Sequence, residues 1–328
     1  MIIVTGATGH LGNVLVKRLI AEGKEVGIIA HSKPPKDVFG DLPIKVFQGD
    51  VTEYSSLIEA FKQAEIVYHL AAKISISSGE FELLKKINVE GTANVVKACL
   101  ECGVKRLLYT SSVHALYEEP HGVEILEKVP DSLDGVFGDY ARSKILAYKE
   151  VMKGVALGLD AVVVFPSGII GPYDYKPSQI GQTVKNFLLG ENSNYIDGVY
   201  DYVDVRDVVT GVLLASEKGK TGQGYTLGGN LLSVKDIYQI LQEYTGRVAK
   251  ITRIPTSIAY FFSFFAEAYA KWKKVEPLLT PYSVTVLKSN ALISHKKAEL
   301  ELGYKVRPAK ETLAAAVDWF NGKDVSLY

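Results

Sequence analysis

The 328-residue chain has two cysteines, no surplus charge of either sign and no apolar run as long as a membrane span. Each shortage excludes something. Two cysteines cannot build a disulfide framework, and they suit a reducing compartment. Lys plus Arg total 37 and Asp plus Glu total 37, so nothing in the bulk charge attracts nucleic acid or an anionic membrane. The most apolar stretch, IAYFFSFFAEAYAKW (258–272), is interrupted by Glu267 and Lys271 after about nine residues, where a span needs about 20. It reads as a buried helix or a pocket wall, with contact at an interface as the lesser alternative. No basic, apolar and small-residue leader precedes the first strand, so the expected location is cytoplasmic.

What is present is apolar. Hydrophobic residues make up 47% of the chain, enough for a large core or for a main domain with a smaller lobe. Cys99 and Cys102 form C-L-E-C just before Gly103. A redox pair belongs at a helix start, where the dipole lowers the thiol pKa. These two fall at a helix end with no second Cys or His pair nearby, so they read as ordinary helix residues.

Short β-branched runs at 25–30, 44–48, 65–71, 105–110 and 160–165 alternate with helical periodicity near 11–22, 55–63, 81–101 and 140–157. Alternation of this kind predicts an α/β fold, a doubly wound parallel sheet covered by helices on both faces. Residues 200–205 and 224–229 read as further strands around a helix near 206–217, and helices dominate from 233 onward. The expected organisation is a dinucleotide-binding domain over 1–172, helped by about 200–229. A smaller, mostly helical substrate lobe then takes 173–199 and 230–328.

The first run, Ile2-Ile3-Val4, leads into Gly6, Gly9 and Gly12, and helical spacing follows at once. A helix N-terminus offers free N–H groups and a positive dipole end, so a pyrophosphate gains from resting there if no side chain blocks it. Gly6 and Gly9 would give that approach, and Gly12 would let the helix pack on the sheet. An acid at the end of the second strand would bind the ribose 2′-hydroxyl of NAD. The chain has Ala30-His31-Ser32-Lys33 there, a cation and hydrogen-bond donors suited to a 2′-phosphate. NADP(H) is therefore favoured over NAD(H). Asp50, with Val51 after it, follows the third strand and could accept from the adenine amino group or simply form a turn.

Tyr140-Ala-Arg-Ser-Lys144 places a phenol and an ammonium on one helical face. With 19 tyrosines, about two such spacings arise by chance, and Tyr269–Lys273 is the other. Position separates them: Tyr140 follows a strand ending Thr110-Ser111-Ser112 and precedes another, and parallel strands bind ligands at their carboxyl ends. Carbonyl reduction needs a hydride on carbon and a proton on oxygen. Lowering a phenol by three pKa units takes about 4 kcal/mol, which a cation about 4 Å away at an effective dielectric near 20 supplies. Tyr140 is the expected general acid, Lys144 its cation and ribose contact, and Ser112 the holder of the substrate oxygen. His114 is a candidate substrate contact, with a plain loop residue as the alternative; the aromatic-rich lobe with Tyr173 hints at an apolar or ring-bearing substrate.

With TGATGHLG, TSSV and YARSK in this order, joined by LAAKIS (70–75), NVEGT (88–92), FPSGIIGP (165–172), YVDVRDV (202–208) and KAELELGY (297–304), the chain resembles an extended short-chain dehydrogenase/reductase. Within that superfamily it is most similar to the dihydroflavonol-reductase-like branch. The resemblance implies NADP(H)-dependent reduction of a carbonyl or aldehyde by a triad of Ser112, Tyr140 and Lys144. It also implies cofactor contacts at Thr8, His10 and Leu11, at Leu70, Ala71, Ala72 and Lys73, at Asn88 and Thr110, and at Pro166, Ser167 and Ile169. A sugar-nucleotide epimerase or dehydratase of the same superfamily is the alternative. Asp139 before the tyrosine, Gly168 four residues before Pro172, and Val113-His114 after Ser112 depart from the patterns of those enzymes. A non-catalytic cofactor-binding regulator is a further alternative, opposed by the intact Tyr–Lys pair. Many relatives form homodimers through two helices per subunit, here 81–101 and 140–157.

Overall fold

In the computed structural model, which describes residues 1–191, 193–273, 275, 277 and 279–328, seven of the apolar runs lie side by side. These are β1 (Ile2–Thr5), β2 (Val26–Ala30), β3 (Ile44–Gln48), β4 (Ile66–His69), β5 (Arg106–Thr110), β6 (Ala161–Pro166) and, later in the chain, Gly224–Leu227. All pair in parallel, in the order 3-2-1-4-5-6 with Gly224–Leu227 outside β6. Strand order reverses between β1 and β4, which makes a crevice at their carboxyl ends. Successive side chains point to opposite faces. Leu107 and Val163 therefore join a core on one face, while Leu108, Val162 and Val164 join a core on the other. Every residue of β6 is buried, as a strand covered on both faces must be. The expected doubly wound α/β sheet is present.

The helices that matter to the site are α1 (His10–Ala21), α2 (Gly91–Cys102), α3 (Asp139–Ala156), α4 (Val205–Lys218), α5 (Thr256–Lys273) and α6 (Pro281–Val286). Phe81–Leu84 and a π-helical turn, Lys85–Glu90, lead into α2, so the predicted 81–101 helix is continuous but locally widened. Gly103 ends it in the left-handed conformation, with φ 68°. Cys99 lies buried on this helix, its thiol pushed up by desolvation, the reverse of what a reactive thiolate needs.

Two expectations need correction. The run at 200–205 does not enter the main sheet. It continues through β9 (Val199–Asp204), after β7 (Gly168–Ile170) and β8 (Ser193–Ile196), and pairs with β7 and β11 (Asn230–Ser233), while Gly224–Leu227 is β10. Only α4 and β10 of that region reach the main sheet. The reason lies at Asp204, whose carboxylate caps α4 and pairs with buried Arg206, turning the chain before β9 can extend. The second lobe is mostly helical, as expected, with β11 and β12 (Ile251–Ile254, paired with β8) in it, around a core of Ile170, Val184, Phe187, Ile237, Leu241 and Leu313. The aromatic stretch is neither buried helix nor pocket wall. As α5 it buries only Ala259, Ser263, Glu267 and Ala270 and exposes nearly all its large side chains.

Candidate active site

The glycine turn does three different jobs. Gly6 has φ +70°, and a Cβ there would lie 2.6 Å from the Ala71 backbone nitrogen, so it packs the loop against the end of β4. A Cβ on Gly12 would meet the Gly6 carbonyl oxygen at 2.2 Å; this glycine closes α1 onto its own loop rather than onto the sheet. A Cβ on Gly9 would meet only the Gly6 oxygen, at 3.3 Å. Gly9 is the N-cap of α1, no side chain caps that end, and no acid sits in its first turn. Uncapped N–H groups at a helix start fit a pyrophosphate. Thr110 Oγ1 at the end of β5 is buried without a hydrogen-bond partner among the described residues. Both observations fit a dinucleotide laid across β1, β4 and β5.

Around the cradle, Thr8 is partly exposed and Leu11 is buried. His10 differs from expectation. Its ring nitrogen Nε2 lies 2.8 Å from the Pro172 carbonyl oxygen, so the side chain ties the glycine loop to the segment after β7. Tyr173 is corrected too. Its positive φ of 66° turns it back toward α1, where its carbonyl accepts from Asn13, Lys17 Nζ lies 4.7 Å from its ring centroid, and its hydroxyl donates to the Val325 carbonyl. None of these partners surrounds Tyr140. His31, Ser32 and Lys33 are exposed beyond β2, with His31 Nδ1 3.5 Å from an Asp50 carboxylate oxygen. Asp50 also accepts from Thr52 N–H, the turn-forming role. Val51 is buried, its carbonyl accepting from Asn94.

Leu70, Ala71, Ala72 and Lys73 leave β4 half-buried. Asn88, in the π-helical turn, accepts from Lys73 N–H and donates to the Lys73 carbonyl and to Ser143 Oγ. Both amide protons are spent on the chain, so Asn88 clamps the cofactor-side loop instead of presenting a donor to a ligand. Pro166 ends β6, Ser167 follows it buried, and Ile169 pairs with Val203 in the smaller sheet. Ser167 Oγ is buried without a hydrogen-bond partner among the described residues, and the Asp201 carboxylate accepts from Gly229 N–H.

Ser112, Tyr140 and Lys144 meet at the carboxyl end of β5. Ser112 caps a short turn, Val113–Ala115, and accepts from His114 N–H. Tyr140 enters from the first turn of α3, and Lys144 follows one turn later. The Lys144 ammonium donates to the Thr110 carbonyl at 2.9 Å, and burial pulls it down to about 7. Burial pushes the Tyr140 phenol up to about 12, against the pull of its hydrogen bond with Ser112. The lowering expected from Lys144 is thus outweighed: desolvation acts on both groups and weakens the charge that was to act. A phenol held this high remains a proton donor at neutral pH.

Sequence reasoning missed a buried polar chain behind the site. His69 Nδ1 lies 2.8 Å from Thr5 Oγ1, and Nε2 lies 3.0 Å from Thr92 Oγ1. Thr92 spends its single hydroxyl proton on the Asn88 carbonyl. His69 therefore donates from Nε2 and accepts the Thr5 proton at Nδ1. Desolvation, with Lys144 nearby, keeps the ring neutral, its pKa down to about 3. One histidine thus pins β1, β4 and the π-turn carrying Asn88. Its place in an apolar strand gave no signal.

Two further missed residues, Tyr200 and Tyr282, wall the substrate side together with His114, which the sequence offers as a substrate contact. His114 lies edge-on to Tyr140, ring centroids 5.9 Å apart. Its Nε2 is 2.9 Å from the Tyr200 hydroxyl and its Nδ1 is 3.4 Å from that of Tyr282. Burial drives its pKa down to about 4, so one ring nitrogen donates and the other accepts. Tyr282, on α6, lies over Gly138, where a Cβ would come within 2.2 Å of its ring. Tyr200 and Tyr282 are far from Tyr140 in sequence, and nothing in their local patterns marks them.

The sequence pattern of the NAD dependent epimerase/dehydratase family matches residues 2–228. Sterol demethylase protein B of Methylococcus capsulatus is 30% identical over 97% of both chains. A provisionally named dihydroflavonol 4-reductase of Synechocystis is 31% identical, over 97% of this chain and 93% of its own. A UDP-glucose 4-epimerase of Thermotoga maritima, solved with UDP-glucose, has the same fold, with TM-score 0.81, 23% identity and 98% of each chain covered. On the glycine turn, the Tyr140–Lys144 pair and these matches together, the chain belongs to the NAD dependent epimerase/dehydratase family, the extended short-chain dehydrogenases/reductases, and is an enzyme of that NAD(P)-dependent type.

Proposed function

We propose that the chain is an NADP(H)-dependent reductase that interconverts a ketone or aldehyde with its alcohol. One observation carries the reading: Ser112, Tyr140 and Lys144 converge at the end of β5 beside His114, Tyr200 and Tyr282, a wall that is aromatic and uncharged. Bound NADPH would supply the hydride. Ser112 holds the carbonyl oxygen, and Tyr140 gives it a proton as the carbon–oxygen double bond becomes a C–H and an O–H. Lys144, when protonated, stabilises the phenolate left behind. His31, Ser32 and Lys33 are the proposed 2′-phosphate contacts. The sterol and dihydroflavonol names of the two relatives support an apolar, ring-bearing substrate. A homodimer through α3 and the 81–102 helical stretch, and a cytoplasmic location, belong to the same proposal.

The epimerase alternative has some support in a cleft of about 820 Å³ in the second lobe, lined by Tyr195, Lys235 and Arg253 among others. Arg253 is already paired with Asp197, however, and none of the triad lines that cleft. Activity separates the readings. The wild type should consume NADPH with apolar ketones or aldehydes, and Tyr140→Phe should lose about 10²–10⁴-fold in kcat while NADPH still quenches its fluorescence. Conversion of UDP-sugars without net cofactor change would overturn the proposal.

A further inference from the structure

Helix α5 is built inside out. Its buried stripe is Ala259, Ser263, Glu267 and Ala270, small or polar. Its exposed side holds Ile258, Tyr260, Phe261, Phe262, Phe264, Phe265, Tyr269 and Trp272, each between 43% and 72% exposed. At about 100° per residue the exposed set sweeps an arc of roughly 200°, and the buried stripe fits within roughly 80°. Scattered apolar residues on a surface need no explanation, but eight on one helix do.

The charges select the occupant. Glu267, the only acid on the helix, is turned inward: it accepts from Ser78 N–H and Oγ and pairs with Lys271. The exposed cations are Lys271 and Lys273, and on the same wheel they fall at the two edges of the aromatic arc. An apolar band edged by lysines suits a bilayer, whose chains take the rings while its phosphates meet the snorkelling amines. Phe261, Trp272 and Phe265 at the centre of the arc, with Tyr260 and Tyr269 toward its edges, suit the headgroup boundary. An arc this wide is also covered more readily by a deformable medium than by a rigid partner, which would need a deep groove. No helix among the described residues is long and apolar enough to cross.

We propose that α5 docks this protein flat on an anionic membrane surface, with the outward aromatic arc in the headgroup–acyl boundary. The docked face adjoins the active site. α6, which packs against α5, carries Tyr282 to His114, and Ser78 belongs to the loop that follows the cofactor-side residues 70–73. If the proposed reduction holds, an apolar carbonyl compound could pass from the bilayer to Tyr140 with little exposure to water.

The test is binding of the full chain to vesicles without substrate, so its outcome is independent of the proposed reaction. Vesicles of 70% phosphatidylcholine and 30% phosphatidylglycerol should co-sediment the wild type. In a Trp319→Phe background, where Trp272 is the remaining tryptophan, emission should shift to the blue on binding. Phe261→Ser with Phe265→Ser, both fully outward, should reduce the bound fraction at least tenfold with far-UV circular dichroism unchanged. Lys273→Gln should weaken binding about fivefold, an effect lost on pure phosphatidylcholine. Failure of the wild type to bind the anionic vesicles overturns the proposal, as does self-association through α5 that vesicles do not compete away.

Discussion

At the scale of single residues, desolvation is the dominant force in the site. Lys144 titrates at about 7 because it is buried, and only its protonated form stabilises a Tyr140 phenolate. We expect kcat for carbonyl reduction to be high below pH 7 and to fall as pH rises through it, with Lys144→Met removing the fall; a pH–rate profile checks both. Gly138 is the second sensitive residue. It combines φ +95° with a Tyr282 ring 2.2 Å from where a Cβ would stand, so Gly138→Ala should cost about 1–3 kcal/mol and raise KM. Tyr282→Ala relieves part of the clash, so the double variant should lose less than the sum of the singles in urea denaturation. The Tyr140–Lys144 spacing was readable because both lie on one helix. Tyr200 and Tyr282 were not, because chain folding alone brings them to His114.

At the scale of elements, the glycine turn combines packing roles at Gly6 and Gly12 with the proposed binding role of Gly9. Gly12→Ala drives a Cβ into backbone atoms at 2.2 and 2.8 Å, and should destabilise the fold by about 1–3 kcal/mol. Gly9 has φ −72° and only the Gly6 oxygen, 3.3 Å away, near its would-be Cβ, so Gly9→Ala should shift the urea midpoint far less than Gly12→Ala while weakening NADPH binding at least tenfold. Urea unfolding and a fluorescence titration, run on both variants, separate the two roles. The seven parallel strands were legible from their continuous apolar runs. β9 was misplaced because a strand's composition does not say which sheet it joins; the turn at Asp204 and the pairing with β11 do. α5 was misread for a related reason: its hydrophobicity marked it for burial, and only the narrowness of its packed stripe shows which side faces out.

For the whole molecule, the two buried neutral histidines, His69 and His114, link stability to pH. Their folded pKa values lie near 3 and 4, below the unfolded value of about 6.5. As pH falls below about 6.5 the unfolded chain takes up protons that the folded chain refuses. Each histidine then removes up to about 1.4 kcal/mol per pH unit until its folded pKa is reached. The urea midpoint should therefore drop between pH 6.5 and 4.5, and His114→Gln should flatten that slope. The sequence by itself determined the parallel sheet, the glycine turn and the phenol–amine pair, since each depends on residues within one strand, turn or helix. Only the tertiary structure decided the neutral aromatic wall around Tyr140, the His69 chain that pins Asn88, and the outward face of α5. Those depend on which distant surfaces exclude water together, and local composition carries no record of that.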